Sequence, residues 1–301
     1  MPELPEVETV RRRLEPVLCG RTLECVEIAD ARLTRPLDPR AVAAELEGER
    51  VAQVNRRGKY LILRFASGRA LLIHLRMTGT LLAGDAATNA DAYRRAELKL
   101  DDGARVAYRD VRRFGTWLLL EPPEVEAYVD ARVGREPLDR AYRARHLAER
   151  LRGRRAPIKA ALLDQRTVAG VGNIYADEAL WRARIHPLTP AATLETEDVA
   201  ALFRAVRAAL QAGIRRQGST LSDYRLPDGS RGRMQHEFKV YGRTGEPCER
   251  CGTPIEKIRA AGRGTWYCPS CQRVEPARPD GQAASSSRSS APSRSRRHSS
   301  V

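Results

Sequence analysis

Apolar residues recur at helical spacing near the N-terminus and in short, strand-like runs further along the chain. The helical pattern begins at Pro5, a residue that suits the first turn of a helix, and ends at Gly20. From about residue 22 to residue 121, short apolar runs alternate with turns such as Ser67-Gly68. The predicted strands are Leu23–Ile28, Val51–Asn55, Tyr60–Phe65, Ala70–Leu75, Ala96–Leu100, Val106–Tyr108 and Thr116–Leu120. Many short strands at this spacing predict a β-sandwich or barrel-like domain.

The pattern becomes helical after Pro122-Pro123, so we predict an α+β multidomain chain. The predicted helices are 124–132, 141–152, 157–165, 173–183 and 196–217. Residues 218–237 lack periodicity and predict a mobile loop, and a compact cysteine-containing module follows. The Ser/Arg/Pro-rich end is typical of disorder. The expected domains are 1–133, 134–237 and 238–272, followed by a tail over 273–301.

The charge of the chain indicates a polyanionic partner. Lys and Arg total 53 against 38 Asp and Glu, which gives a net charge of +15. Such an excess favours nucleic acid as the partner, although an enzyme acting on another acidic substrate could also be this basic. No apolar run approaches the roughly 20 residues of a membrane helix, and the N-terminus does not resemble a signal peptide. We therefore expect a soluble, cytoplasmic protein that does not bind membranes.

Four cysteines have the spacing of a structural zinc site. Cys248 and Cys251 form one pair and Cys268 and Cys271 form another, with 16 residues between the pairs. Two such knuckles on either side of a hairpin provide four thiolates for one tetrahedral Zn²⁺. Two disulfides or a redox pair are the alternatives, and a cytoplasmic setting disfavours the disulfides. A module this short has little apolar core, so the metal would be structural.

Two further segments could bind phosphate. Gly262 and Gly264 flank Arg263, whose guanidinium could form a bidentate contact at the tip of the finger. An ordinary exposed arginine is the alternative. A glycine-containing turn leads into a predicted helix at Asn173, where free N–H groups could face a phosphate. A plain helix hairpin is equally compatible with that segment.

The N-terminus could itself be a catalytic group. If Met1 is removed, Pro2 becomes a secondary amine with a pKa near or below the usual roughly 7.7–8.0 of an α-amino group. The N-terminal end of the helix that follows would lower this pKa further. Such an amine can attack a sugar carbon and form a Schiff base, and the adjacent Glu3 could move protons. Taken alone, the same residues are usually an ordinary chain start.

The chain resembles the formamidopyrimidine-DNA glycosylases. The ordered motifs that carry this resemblance are Met1-Pro2-Glu3-Leu4-Pro5-Glu6, Arg57-Gly58-Lys59-Tyr60, His74-Leu75-Arg76-Met77, Arg112-Arg113-Phe114-Gly115, Asn173-Ile174-Tyr175-Ala176, Val240-Tyr241-Gly242-Arg243 and the four-cysteine finger. The resemblance implies a bifunctional glycosylase and AP lyase acting on oxidised purines, chiefly 8-oxoguanine and formamidopyrimidines. It also implies a monomer with an N-terminal β-sandwich, a helix–two-turn–helix domain and a zinc finger. The implied partner is double-stranded DNA with oxidised bases or abasic sites, in the bacterial nucleoid.

The resemblance also implies the catalytic roles. Pro2 resembles the nucleophile that attacks C1′ of the damaged nucleotide, and Glu3 resembles its general acid/base partner. Lys59 resembles the lysine that transfers a proton and contacts phosphate during β-elimination, and Arg263 resembles the finger arginine that assists δ-elimination. Only five residues of this chain are lysines, so an amine at Lys59 stands out beside Arg56 and Arg57. Glu6 resembles a second supporting carboxylate.

Further residues resemble the DNA contacts of the family. Met77, Arg112 and Phe114 resemble the side chains that fill the space left by a flipped nucleotide. Without the motifs, Met77 and Phe114 would more often be core residues. The remaining implied contacts, chiefly to phosphates, are His74, Tyr93, Arg155, Lys159, Asn173 and Tyr241.

The chain departs from the family pattern at several positions. Tyr93 lies where many relatives have a His-rich stretch. Ser222 replaces a lysine of some relatives, and Arg76 and Trp266 replace the commoner Gly and His. One alternative is the sibling endonuclease VIII-like branch, which acts on oxidised pyrimidines, although Leu4 favours the purine branch. The other alternative is a zinc-finger protein that binds DNA without catalysis.

Overall fold

The N-terminal part consists of a helix and two antiparallel sheets. The computed structural model describes residues 2–88 and 91–273. Helix α1 covers Leu4–Leu18, as predicted, and Pro5 lies in its first turn. The remaining elements are β1 Leu23–Ile28, α2 Pro39–Leu46, β2 Val51–Arg57, β3 Tyr60–Phe65, β4 Ala70–His74, β5 Gly79–Ala83, α3 Asp85–Thr88, β6 Arg94–Leu100, β7 Arg105–Asp110 and β8 Thr116–Leu120.

One sheet has the strand order β1-β6-β7-β5 and the other has the order β2-β3-β4-β8. The inward faces of both sheets and of α1 form one apolar core, which includes Val10, Leu61, Leu98 and Trp117. Every predicted strand is present within a few residues. The sequence pattern did not predict α2, β5 or the short helix α3.

The second part is helical. Its elements are α4 Pro122–Asp130, α5 Ala144–Leu151, α6 Ile158–Leu163, α7 Asn173–Ala183 and α8 Thr196–Arg215, with 3₁₀ turns at Ala191–Thr193 and Met234–Glu237. Helices α5, α7 and α8 enclose a second apolar core that also takes in Leu4. Between α6 and α7 the Gln165 amide bonds across both turns, donating to the Val171 carbonyl at 2.8 Å and accepting from Gly170 N at 2.9 Å.

The segment after α8, predicted to be a mobile loop, is irregular but anchored to both domains, and its Met234 is buried in the helical core. Ala83 N of β5 donates to the Pro227 carbonyl at 2.7 Å. Nearer its start, Thr220 Oγ1 donates to the Tyr224 carbonyl and accepts from Gly232 N. The middle of this segment is therefore hydrogen-bonded to the N-terminal sheet through Pro227.

The third part is a hairpin of β9 Glu256–Ala260 and β10 Arg263–Tyr267. It packs through Ile255 and two of the cysteines against Trp181 of α7. The predicted disordered tail falls outside the described residues, apart from Arg273. Within the described ranges, no helix is long and apolar enough to cross a bilayer.

Candidate active site

Glu3 joins the start of α1 to the start of α7. Its carboxylate accepts hydrogen bonds from Gly172 N at 2.6 Å and Ile174 N at 2.9 Å, and a longer one from Tyr175 N. Free N–H groups at a helix N-terminus are well suited to a carboxylate. The side chain is only 1% exposed. Burial raises the pKa of Glu3, the Glu6 charge adds to this rise, and the Lys59 charge opposes it.

Two glycines allow this close approach. A Cβ on Gly172 would lie 2.4 Å from Cδ of Glu3, and a Cβ on Gly170 would lie 2.4 Å from Cβ of Leu4. Gly170 also has a φ of +79°, a conformation that disfavours other residues. Leu4 N donates to the Gly170 carbonyl at 3.0 Å. The glycines noted in the sequence as a candidate phosphate-binding turn thus hold the catalytic segment in this structure.

Glu6 is a second buried carboxylate beside the first. Its Oε1 accepts from the Tyr175 hydroxyl at 2.9 Å and from Ser219 N at 2.8 Å, while its Oε2 accepts from Glu3 N. A Cβ on Gly218 would lie 2.7 Å from Cγ of Glu6. Glu6 therefore links α1 to α7 and to the segment after α8. Pro2, directly before these groups, is also buried. Removal of Met1 concerns a residue outside the described ranges.

Lys59 lies in the turn between β2 and β3, and its charge acts on Glu3. We call Glu3, Glu6 and Lys59 together the junction. The Lys59 side chain is 7% exposed. Burial lowers the pKa of Lys59 and the Arg263 charge lowers it further, whereas Glu3 and Glu6 act in the opposite direction. The turn is held by Glu136, whose carboxylate accepts from Gly58 N and pairs with the guanidinium of Arg56. A lysine with a lowered pKa can serve as a proton acceptor.

His74, at the end of β4, is buried next to Lys59. Burial and the positive charges of Arg76 and Lys59 lower the pKa of His74 to about 3, so the imidazole is neutral near pH 7. Its Nδ1 accepts from Arg76 N at 3.0 Å, which assigns the ring proton to Nε2. His74 can therefore donate one hydrogen bond to a phosphate but cannot supply a charge.

Arg263 opens strand β10 of the finger and is exposed. Its charge lowers the pKa of Lys59 and opposes the rise that burial causes in the pKa of Tyr241. Asn173 Nδ2 donates to the Gly264 carbonyl at 3.0 Å, and the Tyr241 ring packs on Trp266 with centroids 4.5 Å apart. The structure thus brings the predicted finger, helix and junction residues together.

Lys159 does not occupy the position expected of a DNA contact. Its side chain is completely buried and its ammonium pairs with Asp177 Oδ1 at 2.7 Å. The same ammonium donates to Thr265 Oγ1 at 2.7 Å and to the Gly264 carbonyl at 3.2 Å. The two hydrogen bonds and the ion pair thus surround the ammonium with protein oxygen atoms. The prediction of a direct DNA contact is therefore corrected, because the charge of Lys159 is enclosed by protein atoms.

Met77, Arg112 and Phe114 form an exposed cluster, which we call the insertion trio. Met77 is 40% and Phe114 is 50% exposed. The Arg112 guanidinium lies 4.7 Å from the Phe114 ring centroid, and its Nη1 lies 3.0 Å from the Met77 sulfur. Below the trio, the buried Asp110 carboxylate accepts from Arg112 N and Gly115 N. Core packing, the alternative reading of Met77 and Phe114, does not match this exposure.

The remaining predicted contacts lie on the surface. Tyr93 is 41% exposed, and the guanidinium of Arg109 lies 4.9 Å from its ring centroid. Arg155 is exposed in the segment before α6. Among the departures, Ser222 is exposed, whereas Trp266 donates from Nε1 to Thr244 Oγ1 at 2.8 Å. The tryptophan thus takes a structural place in the finger.

The four predicted ligand cysteines converge. Their sulfur atoms all lie within 4.8 Å of one another. The Sγ–Sγ distances are 4.0 Å for Cys248–Cys271, 3.5 Å for Cys251–Cys268 and 3.4 Å for Cys251–Cys271. Tetrahedral Zn²⁺ with Zn–S bonds of about 2.3 Å requires S–S separations of about 3.8 Å, whereas a disulfide requires about 2.05 Å. Trp181 Nε1 donates to Cys248 Sγ at 3.4 Å, a contact that supports a thiolate ligand. The site therefore fits one structural zinc ion and does not fit two disulfides.

The sequence pattern did not indicate the groups that hold the predicted site residues. These are Tyr175 and Ser219 at Glu6, Asp177 at Lys159, and Asp110 below the insertion trio. Asp177 follows Asn173 by four residues, so both belong on one helix face. A second polar residue one helical turn after Asn173 was the available signal.

Three family models match the chain. Residues 1–117 match the formamidopyrimidine-DNA glycosylase N-terminal domain, residues 133–225 match the H2TH domain of the same enzymes, and residues 245–274 match the zinc finger found in FPG and IleRS. The Chloroflexus aggregans formamidopyrimidine-DNA glycosylase is 49% identical over 273 residues, which cover 90% of this chain and 98% of the relative.

Solved structures agree with these matches. MutM (FPG) from Thermus thermophilus is 43% identical with a TM-score of 0.82, and the alignment covers 91% of this chain and 100% of that one. The Lactococcus lactis Fpg in complex with DNA containing an abasic site is 38% identical with a TM-score of 0.84, covering 90% and 99%. A Lactococcus lactis FPG mutant bound to DNA containing Fapy-dG has the same TM-score at 39% identity, covering 90% and 100%.

Proposed function

The chain belongs to the formamidopyrimidine-DNA glycosylase family, and we propose on that premise that it removes oxidised purines from DNA and then cleaves the sugar–phosphate backbone. Its substrates are 8-oxoguanine and formamidopyrimidines in double-stranded DNA, on which it acts as a monomer in the bacterial nucleoid. The single observation that carries this proposal is the burial of Glu3 against the N–H groups of α7. That contact fixes the N-terminal Pro2 where the sheet domain, the helical domain and Lys59 meet.

The chemistry begins with the freed Pro2 amine. Its nitrogen bonds to C1′ of the damaged nucleotide and gives up its proton as the glycosidic bond breaks, and the departing base takes the bonding electron pair and a proton. The sugar ring then opens to an iminium ion when its oxygen takes up a proton. Glu3 is the proton donor for this opening, because burial raises its pKa and so favours the acid form more than in an exposed carboxyl group.

Two eliminations follow from the iminium ion. Loss of a sugar proton expels the 3′ phosphate, and a second loss expels the 5′ phosphate, so a one-nucleotide gap remains. Lys59 accepts a proton in the first of these steps, since its lowered pKa favours the neutral amine more than in an ordinary lysine. Arg263 holds the phosphate that leaves in the second step.

DNA binding combines a phosphate track with an inserted wedge. Arg263, Asn173, Tyr241 and the neutral His74 hold the phosphates near the flipped nucleotide. The insertion trio enters the duplex, where Phe114 unstacks the base step and Arg112 donates to the orphaned cytosine. Tyr93 and Arg155 contact the backbone at the edges. Zinc keeps the finger folded and takes no part in the reaction.

Cleavage of defined duplexes tests this function against its alternatives. We expect single-turnover release of 8-oxoguanine from a duplex with opposite cytosine, and at least about tenfold slower release of thymine glycol. The reverse order of rates would favour the endonuclease VIII-like branch. Tight binding of both duplexes without any base release would favour the non-catalytic DNA-binding protein.

A matched variant isolates the amine. Borohydride should trap wild-type protein on 8-oxoguanine DNA, whereas a variant with one extra glycine before Pro2 should give no adduct. The control is binding to a duplex with a non-cleavable abasic analogue, which the extended variant should retain. Equal trapping of both proteins would contradict the assigned nucleophile.

A further inference from the structure

A continuous set of buried contacts joins α7 to the backbone of Arg263. Asp177 Oδ1 pairs with the Lys159 ammonium at 2.7 Å, and that ammonium donates to Thr265 Oγ1 at 2.7 Å. The Thr265 hydroxyl in turn donates to the carbonyl of Arg263 at 3.2 Å. Asp177 and Lys159 have no exposed side-chain surface, and Thr265 is also fully buried.

The same acidic residue also fixes the strand just beyond Arg263. Asp177 Oδ2 accepts from Trp266 N at 3.1 Å, so its two oxygens hold Trp266 N and Lys159. Asn173, one turn earlier on α7, donates to the Gly264 carbonyl. Three consecutive residues after Arg263 are therefore clamped to helices of another domain.

Among the residues that the structure describes, none supports the tip of the hairpin in a comparable way. Ala261 and Gly262 form the tip with positive φ values of 50° and 72°. A Cβ on Gly262 would meet nothing within 4 Å, so the tip stands free of other groups. The position of the Arg263 guanidinium is consequently set from the Thr265 side, by the contacts to α6 and α7.

We infer that Asp177, Lys159 and Thr265 act as positioning residues that place Arg263 for the second elimination. This inference rests on the proposed function and adds the groups that control one of its steps. None of the three touches DNA, because all are enclosed by protein atoms. We expect substitution of any of the three to lower the yield of the product that has lost both phosphates, since Arg263 holds the phosphate that leaves last.

Thr265→Val tests this inference with Thr265→Ser as its matched control. Valine keeps the shape but removes the hydroxyl, whereas serine keeps the hydroxyl that receives Lys159 and reaches Arg263. In single-turnover reactions on an 8-oxoguanine duplex, gel electrophoresis separates the two elimination products. We expect Thr265→Val to slow the second elimination about tenfold and base release less than about twofold, because a small misplacement of a positioning group can cost this much. Thr265→Ser should remain near wild type.

A double variant shows whether the effect passes through Arg263. Adding Thr265→Val to Arg263→Ala should cause no further slowing of the second elimination, since the residue being positioned is already absent. Multiplicative slowing in the double variant would overturn the inference, as would equal slowing of every step or no slowing at all. Asp177→Asn should reproduce the selective defect, and zinc content measured on each protein should stay at one ion.

A binding measurement separates failure of this inference from failure of the proposed function. Wild-type protein that neither releases base nor is trapped by borohydride would overturn the proposed function. Affinity for a duplex with a stable abasic analogue, measured against salt, still reports on Arg263. Thr265→Val and Arg263→Ala should each reduce the slope of log affinity against log salt by about 0.9, the value for one phosphate contact. An unchanged slope in Thr265→Val, with a reduced slope in Arg263→Ala, would overturn the positioning role.

Discussion

The junction is buried, whereas the insertion trio is exposed. Glu3 and Glu6 are each 1% exposed, and backbone N–H groups of other elements hold their carboxylates. Met77 and Phe114 are 40% and 50% exposed, and each lies against the Arg112 side chain. Proton transfer requires groups in a fixed, low-dielectric setting, whereas insertion into DNA requires side chains that are free to leave water.

The two sets of residues are held in place by different kinds of contact. The junction depends on contacts between domains, because Glu3 belongs to α1 and its donors belong to α7. The insertion trio is held by the buried Asp110 carboxylate and the buried Thr78 hydroxyl, both within its own sheet domain. Substitutions at the junction should therefore affect the reaction strongly, and substitutions in the trio should affect DNA engagement while sparing the fold.

Gly172→Ala should have the largest effect. Its Cβ would lie 2.4 Å from Cδ of Glu3, so the carboxylate must leave its donors. We expect base release and borohydride trapping to fall roughly 100-fold or more, the usual scale for lost acid/base catalysis. Gly48→Ala is the control, because its Cβ would meet nothing within 4 Å although its φ is +83°. Wild-type trapping by Gly172→Ala would show that the position of Glu3 is not critical.

His74→Asn should change the pH dependence of stability. Wild-type His74 is neutral in the folded state, with a pKa of about 3, while the unfolded chain binds a proton near pH 6.5. The unfolded state thus binds more protons between these values, so the free energy of unfolding falls as pH falls. From pH 7 to pH 5 this costs wild type about 2 kcal/mol.

Chemical denaturation at pH 7 and pH 5 checks this expectation. The asparagine variant should lose about 2 kcal/mol less than wild type over that interval, since it has no imidazole to protonate. Acid effects on the zinc site are common to both proteins and cancel in the difference. Equal losses in the two proteins would contradict the buried, neutral state of His74.

Phe114→Ala should have the smallest effect, and only on duplex DNA. We expect base release to slow about tenfold, because the wedge that offsets the unstacking cost is lost. The free energy of unfolding should change by less than about 0.5 kcal/mol, as for other exposed positions. Leu37→Ala is a matched control, since Leu37 is 47% exposed. A large loss of stability in Phe114→Ala would place the ring in the core instead.

Periodicity predicted the elements that pack one apolar face. Helix α1, strands β1, β3 and β8, and helix α7 begin or end at the predicted residues or within one position of them. Helix α2 was missed although Asp38 caps its N-terminus, accepting from Arg40 N and Ala41 N, and Pro39 follows. The capping signal was present, but the helix buries only Val42 and Leu46, too few apolar residues for a clear pattern.

The sequence predicted which residues form the candidate site but not which other residues hold them in place. The resemblance named Glu3, Lys59 and Arg263, and the structure brings their charges into one region. It also named Lys159 as a DNA contact, which burial contradicts, because periodicity does not show when a charge on a helix is paired inside the core. The role of Asp177 depends on a contact between the finger and α7, which the sequence pattern does not show.

The identity of the nucleophile tests the central claim most directly. After borohydride trapping on 8-oxoguanine DNA, proteolysis and mass spectrometry of the adduct should place the sugar remnant on the nitrogen of Pro2, with Met1 absent. A remnant on the Lys59 side chain, or full activity in protein that retains Met1, would contradict the account.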